Sequence, residues 1–258
     1  PPQARAADRM DVAPTPPASG ATRRALLAAG GAAALAAGTF AFSQVAAGER
    51  YRTEVGERRL VRLRDDGRLE LNTATRVTVR DPVAGARRLR LEAGEIAVEA
   101  PAGATPIWVE GGASSVQLEA GRYNLRRTPE GLQLLVLQGR AWTRSEGRMR
   151  PLGSGALARV DETRAEIEAA APVAIARADA WRRGEILFDG ETLGAAIAEY
   201  NRYLSAPIVL ADPALGRLRL GGRFTSTDPG PFLAALEASF AVEVVARSDG
   251  GYAIAPAG

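Results

Sequence analysis

The chain has 258 residues and a formal net charge of +3, with no cysteine and no histidine, and all its basic residues are arginine. This composition excludes a disulfide framework, a Ser-His-Asp or Cys-His nucleophile, a Ser-Lys dyad and a histidine-based metal site, and it points away from an enzyme and from any resident cofactor or metal. The length suits one large domain or two modest ones, and arginines scattered among Asp and Glu lack the clustering that nucleic acid requires.

Residues 1–22 hold Pro1, Pro2, Pro14, Pro16 and Pro17 among Ala, Ser and Thr, the composition of a flexible linker. The opening Pro1, in place of Met, reads as a fragment or a trimmed N-terminus. Arg23 and Arg24 then precede Ala25–Ala47, which carries no charge. As a helix that run would be about 34 Å long, enough for a hydrocarbon core of about 30 Å. Residues 23–47 are therefore expected to form one transmembrane helix or a twin-arginine-like signal anchor. The two arginines would set a cytoplasmic N-terminus, with the bulk of the chain on the other side of the membrane. A buried Ala-rich helix of a soluble protein is the competing reading.

From residue 48 to about residue 170 the apolar pattern has period two: Val61 and Leu63, Leu69 and Leu71, Val77 and Val79, Leu89 and Leu91, Ile96 and Val98, Ile107 and Val109, Val116 and Leu118, then Leu132, Leu134 and Val136. Turn signals separate these pairs, among them Asp65-Asp66-Gly67, Glu92-Ala93-Gly94 and Pro129-Glu130-Gly131. Many short alternating strands predict an all-β sandwich or roll. Asp65-Asp66 and Glu92 with Glu95 fall at hairpin corners and read as turn chemistry, not as catalytic carboxylate pairs. Gly153-Ser154-Gly155 lacks the flanks of a nucleophile elbow, and Gly221-Gly222 lacks the Lys-Ser/Thr of a phosphate loop. Arg58, Arg62, Arg64, Arg88 and Arg90 read either as a solvated sheet face or as a surface for an acidic partner.

Residues 171–258 change grammar. Pro172–Ala180 reads as a connection. Glu185–Asp189 is strand-like, and Thr192–Tyr203 has helical spacing with Leu193, Ile197 and Tyr200 on one face. Pro207–Leu210 and Leu218–Phe224 read as strands. Asp228 can cap a helix carrying Phe232, Leu233, Leu236 and Phe240, with Pro229 in its first turn. Strands at Val242–Val245 and Tyr252–Ile254 complete a small β-α-β-β-α-β domain with one extra terminal strand. The expected fold class is thus mainly β: a membrane helix, a β-sandwich or roll, and a small α+β domain.

Several stretches together resemble a known family. Tyr51-x-Thr53-x-x-Gly56-Glu57, Leu63-x-x-Asp66-Gly67-x-Leu69-x-Leu71-Asn72-x-x-Thr75, Leu91-x-x-Gly94-Glu95-Ile96-x-Val98 and Leu134-x-Val136-x-x-Gly139-x-Ala141 are similar in order to the FecR domain. Ala180-Trp181-Arg182-x-Gly184-x-Ile186-x-Phe188, Glu199-Tyr200-Asn201-Arg202-Tyr203, Asp212-Pro213, Gly222-x-Phe224 and Asp228-x-x-x-Phe232-Leu233 continue the likeness. The end of the chain also resembles a secretin-and-TonB N-terminal module. One departure is Leu118-Glu119-Ala120-Gly121-Arg122-Tyr123, where the family usually has Leu-Gly-Thr-x-Phe. The cytoplasmic helical segment that holds a sigma factor in the family has no counterpart beyond the Pro-rich tail.

The resemblance implies a FecR-type transmembrane anti-sigma regulator of the bacterial inner membrane, with most of the chain in the periplasm. Its implied partners are the periplasmic signalling domain of a TonB-dependent outer-membrane transporter, an extracytoplasmic-function sigma factor, and envelope and intramembrane proteases. The implied output is control of iron-uptake genes. Trp181, Phe224, Phe232, Leu233 and Leu236 are the candidate partner-contacting residues; for Trp181 the competing role is hinge packing, and for Phe232, Leu233 and Leu236 it is helix core. From a different class, an exported β-rich envelope module recognising peptidoglycan or polysaccharide accounts for the same pattern.

Overall fold

The computed structural model describes residues 48–81 and 85–258. The expected linker at 1–22 and the expected span at 23–47, with Arg23 and Arg24, lie outside them. Among the described residues no helix is long and apolar enough to cross a membrane.

The first part is organised on one long hairpin. Strand β8 (Ser114–Arg127) pairs antiparallel with β9 (Leu132–Ser145) from Val116↔Thr143 to Arg127↔Leu132. The first half of β8 also pairs with β7 (Ile107–Gly111), which continues through β5 (Arg87–Ala93) and β4 (Arg76–Arg80) to β1 (Glu49–Arg52). Its second half pairs with β6 (Glu95–Ala100), which continues through β3 (Arg68–Leu71) to β2 (Arg59–Arg62). Strand β9 divides in the same way. Its end pairs with β10 (Arg148–Gly153), and its start with β11 (Ala156–Val160), which pairs in turn with β12 (Ala165–Ala169). The hairpin is therefore shared by two layers, the arrangement of a β-sandwich or roll.

The hairpin changes layers where Gly121 faces Gly139. Gly139 has φ +97°, and a Cβ there would sit 2.3 Å from the Ala120 carbonyl oxygen. With neither residue carrying a side chain, the Tyr123 phenol enters the space and donates to the Arg140 carbonyl at 2.7 Å. Burial raises this phenol to about pKa 12. The Leu118–Tyr123 departure from the family pattern thus forms the corner of the sandwich. Every apolar residue of the alternating pairs named from the sequence is buried, and they form one continuous core.

The second part opens with a helix, α1 (Pro172–Arg182), where the sequence pattern predicts only a connection. Pro172 occupies the first turn, where its missing N–H costs nothing, and Ala and Arg favour the helix that follows. Only Ala178, Ala180 and Trp181 are buried, so α1 has no broad apolar stripe to announce it. The remaining elements follow the expected order. Strand β13 (Glu185–Thr192) leads into α2 (Leu193–Tyr200), and β14 (Ile208–Leu210) is followed by a 3-10 turn at Pro213–Arg217 and by β15 (Arg219–Thr225). Helix α3 (Gly230–Ser239), β16 (Val242–Ala246) and β17 (Tyr252–Pro256) complete the chain. Asp228 accepts from Gly230 N at 3.0 Å at the start of α3. The strands form two small sheets, β13 with β15 and β14-β17-β16, with β14 and β17 parallel.

A separate core holds this part together. The Tyr200 ring stacks on Phe232 at 4.8 Å between centroids, and Phe188 lies 5.8 Å from Phe232. Leu193, Ile197, Leu233, Leu236 and Ile254 close around them.

Candidate functional site

The corner that leads into β6 creates an unusual carboxylate. Gly94 has φ +87°, and a Cβ there would lie 2.2 Å from Thr75 Oγ1. Only glycine permits that approach, which lets the Thr75 hydroxyl accept from Glu95 N at 3.0 Å. Thr53 in turn accepts from Thr75 N at 2.9 Å. These contacts turn the Glu95 side chain inward, where the residue retains 7% exposure. The sequence reading of Glu95 as corner chemistry is corrected here: its backbone belongs to the corner, and its carboxylate is buried.

Each oxygen of that carboxylate is partnered. Asn124 Nδ2 donates to Oε1 at 2.9 Å, while Asn72 Nδ2 and an Arg202 guanidinium N–H both donate to Oε2 at 2.9 Å. Burial alone would raise the pKa; the Arg202 and Arg126 charges and the donated hydrogen bonds overcome it and hold Glu95 below its ordinary value. The group stays ionised, which suits an anchor and not a proton shuttle.

The partners come from both parts of the chain. Asn72 and Asn124 belong to the sandwich, and Arg202 follows α2. Asn72 Nδ2 also donates to the Tyr203 phenol at 2.9 Å, across 131 positions of sequence. Burial and the Glu95 charge raise that phenol to about pKa 12. Asn124 Oδ1 accepts from the Trp181 indole N–H at 2.8 Å. Around this centre Arg126 pairs with Glu199 at 2.9 Å, and Thr73 Oγ1 donates to the Arg202 carbonyl at 2.9 Å. Arg182, at the end of α1, bridges Glu70 and Glu99, the latter at 2.8 Å. Arg58 returns from the sandwich to donate to the Arg182 carbonyl at 2.6 Å. A cavity of about 280 Å³ adjoins the network, lined among others by Arg126, Trp181, Phe188 and Tyr203.

The candidate residues named from sequence separate clearly. Trp181 is 4% exposed and bonded across the junction, in the hinge-packing role. Phe232, Leu233 and Leu236 are 0%, 4% and 2% exposed. Their assignment to a partner-contacting surface is corrected: they are the core of the small domain, and helical spacing alone could not distinguish the face that packs inward from one that docks outward. Phe224 is half-buried and packs edge-on to Phe232 at 5.3 Å. Sequence reasoning missed the roles of Asn72, Glu95, Asn124 and Arg202. Three of them were visible inside the family-like stretches, and nothing local showed that these stretches meet. Among the described residues no group of acidic side chains is placed to hold a metal ion.

The arrangement joins two folded parts through buried, charge-assisted hydrogen bonds. At its centre Glu95 and Arg202 cannot separate without leaving a largely buried charge without its partner. A crystal structure of a candidate anti-sigma factor from Parabacteroides distasonis at 2.50 Å resolution is similar, with a TM-score of 0.65 and 16% identity over 81% of this chain and 99% of that one. A second such structure from the same organism, at 1.65 Å, gives 0.66 and 15% over 81% and 100%. At these identities the likeness is one of fold. No curated protein matches the sequence. The model of the FecR protein family matches residues 49–141, from β1 into β9 and including Asn72, Glu95 and Asn124, and that part of the chain is a FecR domain.

Proposed function

We propose that this chain is the sensing and relay part of an anti-sigma regulator and has no enzymatic activity of its own. The observation that carries this reading is the junction: Glu95 of the FecR domain is locked to Arg202 and, through Asn124, to Trp181 of the small domain. A protein that must report an event at one end to a segment at the other needs such a rigid connection. The FecR domain and the fold shared with candidate anti-sigma factors favour the same role.

In this reading residues 23–47 cross the inner membrane, and the described residues lie in the periplasm. The small domain meets the periplasmic signalling domain of a TonB-dependent transporter, and the output reaches an extracytoplasmic-function sigma factor after proteolysis, controlling iron uptake. Because Phe232, Leu233 and Leu236 are interior, the contact is reassigned to strand β16. That strand is terminal in its sheet, and Val245 is 46% exposed on it. A terminal strand offers unpaired backbone groups to which a partner strand can be added.

The experiment is a sigma-dependent reporter in cells carrying the full-length regulator and its transporter. Ala246→Pro, which removes an N–H on the free edge of β16 and leaves the Val245 pairing with β17 intact, should abolish induction while the protein accumulates normally. Unchanged induction would reject the assignment.

A further inference from the structure

The outer face of one sandwich layer carries a cross-strand row that the relay role does not use. Through successive register pairs, Arg80 lies beside Arg88, Arg88 beside Trp108, Trp108 beside Gln117, Gln117 beside Trp142 and Trp142 beside Pro151. Its direction is fixed by alternation. Leu89, Ile107, Val109, Val116, Leu118 and Ala141, the sequence neighbours of the row, are at most 1% exposed in the core. The row itself points away from them, with Arg80 and Arg88 exposed and Trp108, Gln117 and Trp142 half-buried. At the usual strand spacing the row is about 24 Å long, and its two tryptophans stand about 10 Å apart with an amide between them.

The polar groups beside the indoles are held in place. Trp142 donates its N–H to Glu119 Oε1 at 2.8 Å, and Arg88 donates to Glu110 Oε1 at 3.0 Å. The face therefore offers aromatic surface with donors and acceptors interleaved along a line. Pyranose rings have the matching chemistry. Their C–H faces pack on aromatic rings, and their hydroxyls both donate and accept. Acidic residues are depleted from the centres of protein interfaces, which disfavours a protein here. The arginines at one end of the row add affinity for carboxylates.

We propose that this face binds a linear, carboxylate-bearing glycan laid across strands β4, β5, β7, β8, β9 and β10. The ligand spans the row, with sugar rings on Trp108 and Trp142, hydroxyls on Gln117 and Glu119, and carboxylates at Arg88 and Arg80. This site is independent of the sigma-factor reading and would hold the FecR domain against an envelope polymer while the small domain stays available.

The test uses the full chain in neutral detergent, co-sedimented with purified peptidoglycan sacculi. Three comparisons accompany it: an uncharged β-linked oligosaccharide, vesicles rich in anionic phospholipid, and Arg217→Ala on the small domain as control. The wild type and Arg217→Ala should sediment with sacculi, and Trp108→Ala and Trp142→Ala should each weaken binding at least about tenfold. Should Trp142→Ala unfold, Trp108→Ala and Gln117→Ala carry the same test, since both side chains lie on the outer face. Failure to sediment with sacculi, unchanged binding in Trp108→Ala, equal binding of the uncharged glycan, or capture by vesicles alone would each overturn the assignment.

Discussion

The Glu95 carboxylate and the Arg202 guanidinium, 107 positions apart in sequence, meet at 2.9 Å with side-chain exposures of only 9% and 18%. Isolated buried charges are costly, and a pair is tolerated only when geometry and neighbouring hydrogen bonds satisfy both. Here Asn72 and Asn124 complete the carboxylate, and Glu199 also engages Arg202.

Truncating one partner therefore costs more than the pair contributes. Glu95→Ala leaves Arg202 largely buried with Glu199 alone and leaves two amides without their acceptor. A loss of about 3–5 kcal/mol is expected, read as a lowered denaturation midpoint. A loss under about 1 kcal/mol, the level of a surface pair, would show that the junction is open in solution.

The same carboxylate sets an acid limit. Its folded-state pKa lies below the ordinary glutamate value of 4.5, because the native structure favours the charged form. The stability it contributes is complete above pH 4.5 and is lost as the pH falls through the depressed folded value. Denaturation midpoints from pH 7 to pH 3 should drop steeply below 4.5 in the wild type and more gently in Glu95→Gln. Parallel curves would assign the acid sensitivity to other groups.

Gly94 sets the corner that aims Glu95. In Gly94→Ala the new Cβ meets Thr75 Oγ1 at 2.2 Å and Thr75 Cα at 2.5 Å, on a backbone with φ +87°. Strain of this kind costs about 1–3 kcal/mol, and the displaced corner should also disturb the junction. Chemical denaturation measures the cost, and the indole signal of Trp181 reports the junction. A neutral substitution would mean that the corner relaxes freely.

Leu233→Asp places a carboxylate at a position 4% exposed within the Tyr200 and Phe232 core. Loss of folded small domain is expected, visible as loss of helical circular dichroism. A folded variant that merely fails to respond to its partner would return Leu233 to the surface role suggested by sequence.

Much of the sandwich was legible because a half-buried strand writes its period into the sequence. Val77 and Val79, or Ile107 and Val109, alternate as the core requires, and all four are buried. Helix α2 was equally plain, with Leu193, Ile197 and Tyr200 on one stripe. Helix α1 was not, because Ala178 and Ala180 pack through small side chains that carry little periodic signal. The bending of β8 and β9 between layers was also hidden, since it depends on Gly121 facing Gly139 across a register that no local pattern fixes. The junction was the least legible part. Glu95 follows a turn glycine and looks like a corner residue, and Asn72 reveals nothing of Tyr203 until the fold brings them together.

Differential scanning calorimetry tests the central claim, that this junction makes the FecR domain and the small domain one mechanical unit. The wild type should unfold in a single cooperative transition, and the double variant Trp181→Phe, Arg202→Ala should resolve two, with the small domain melting first. Two separate transitions in the wild type, or a single undivided transition in the double variant, would contradict it.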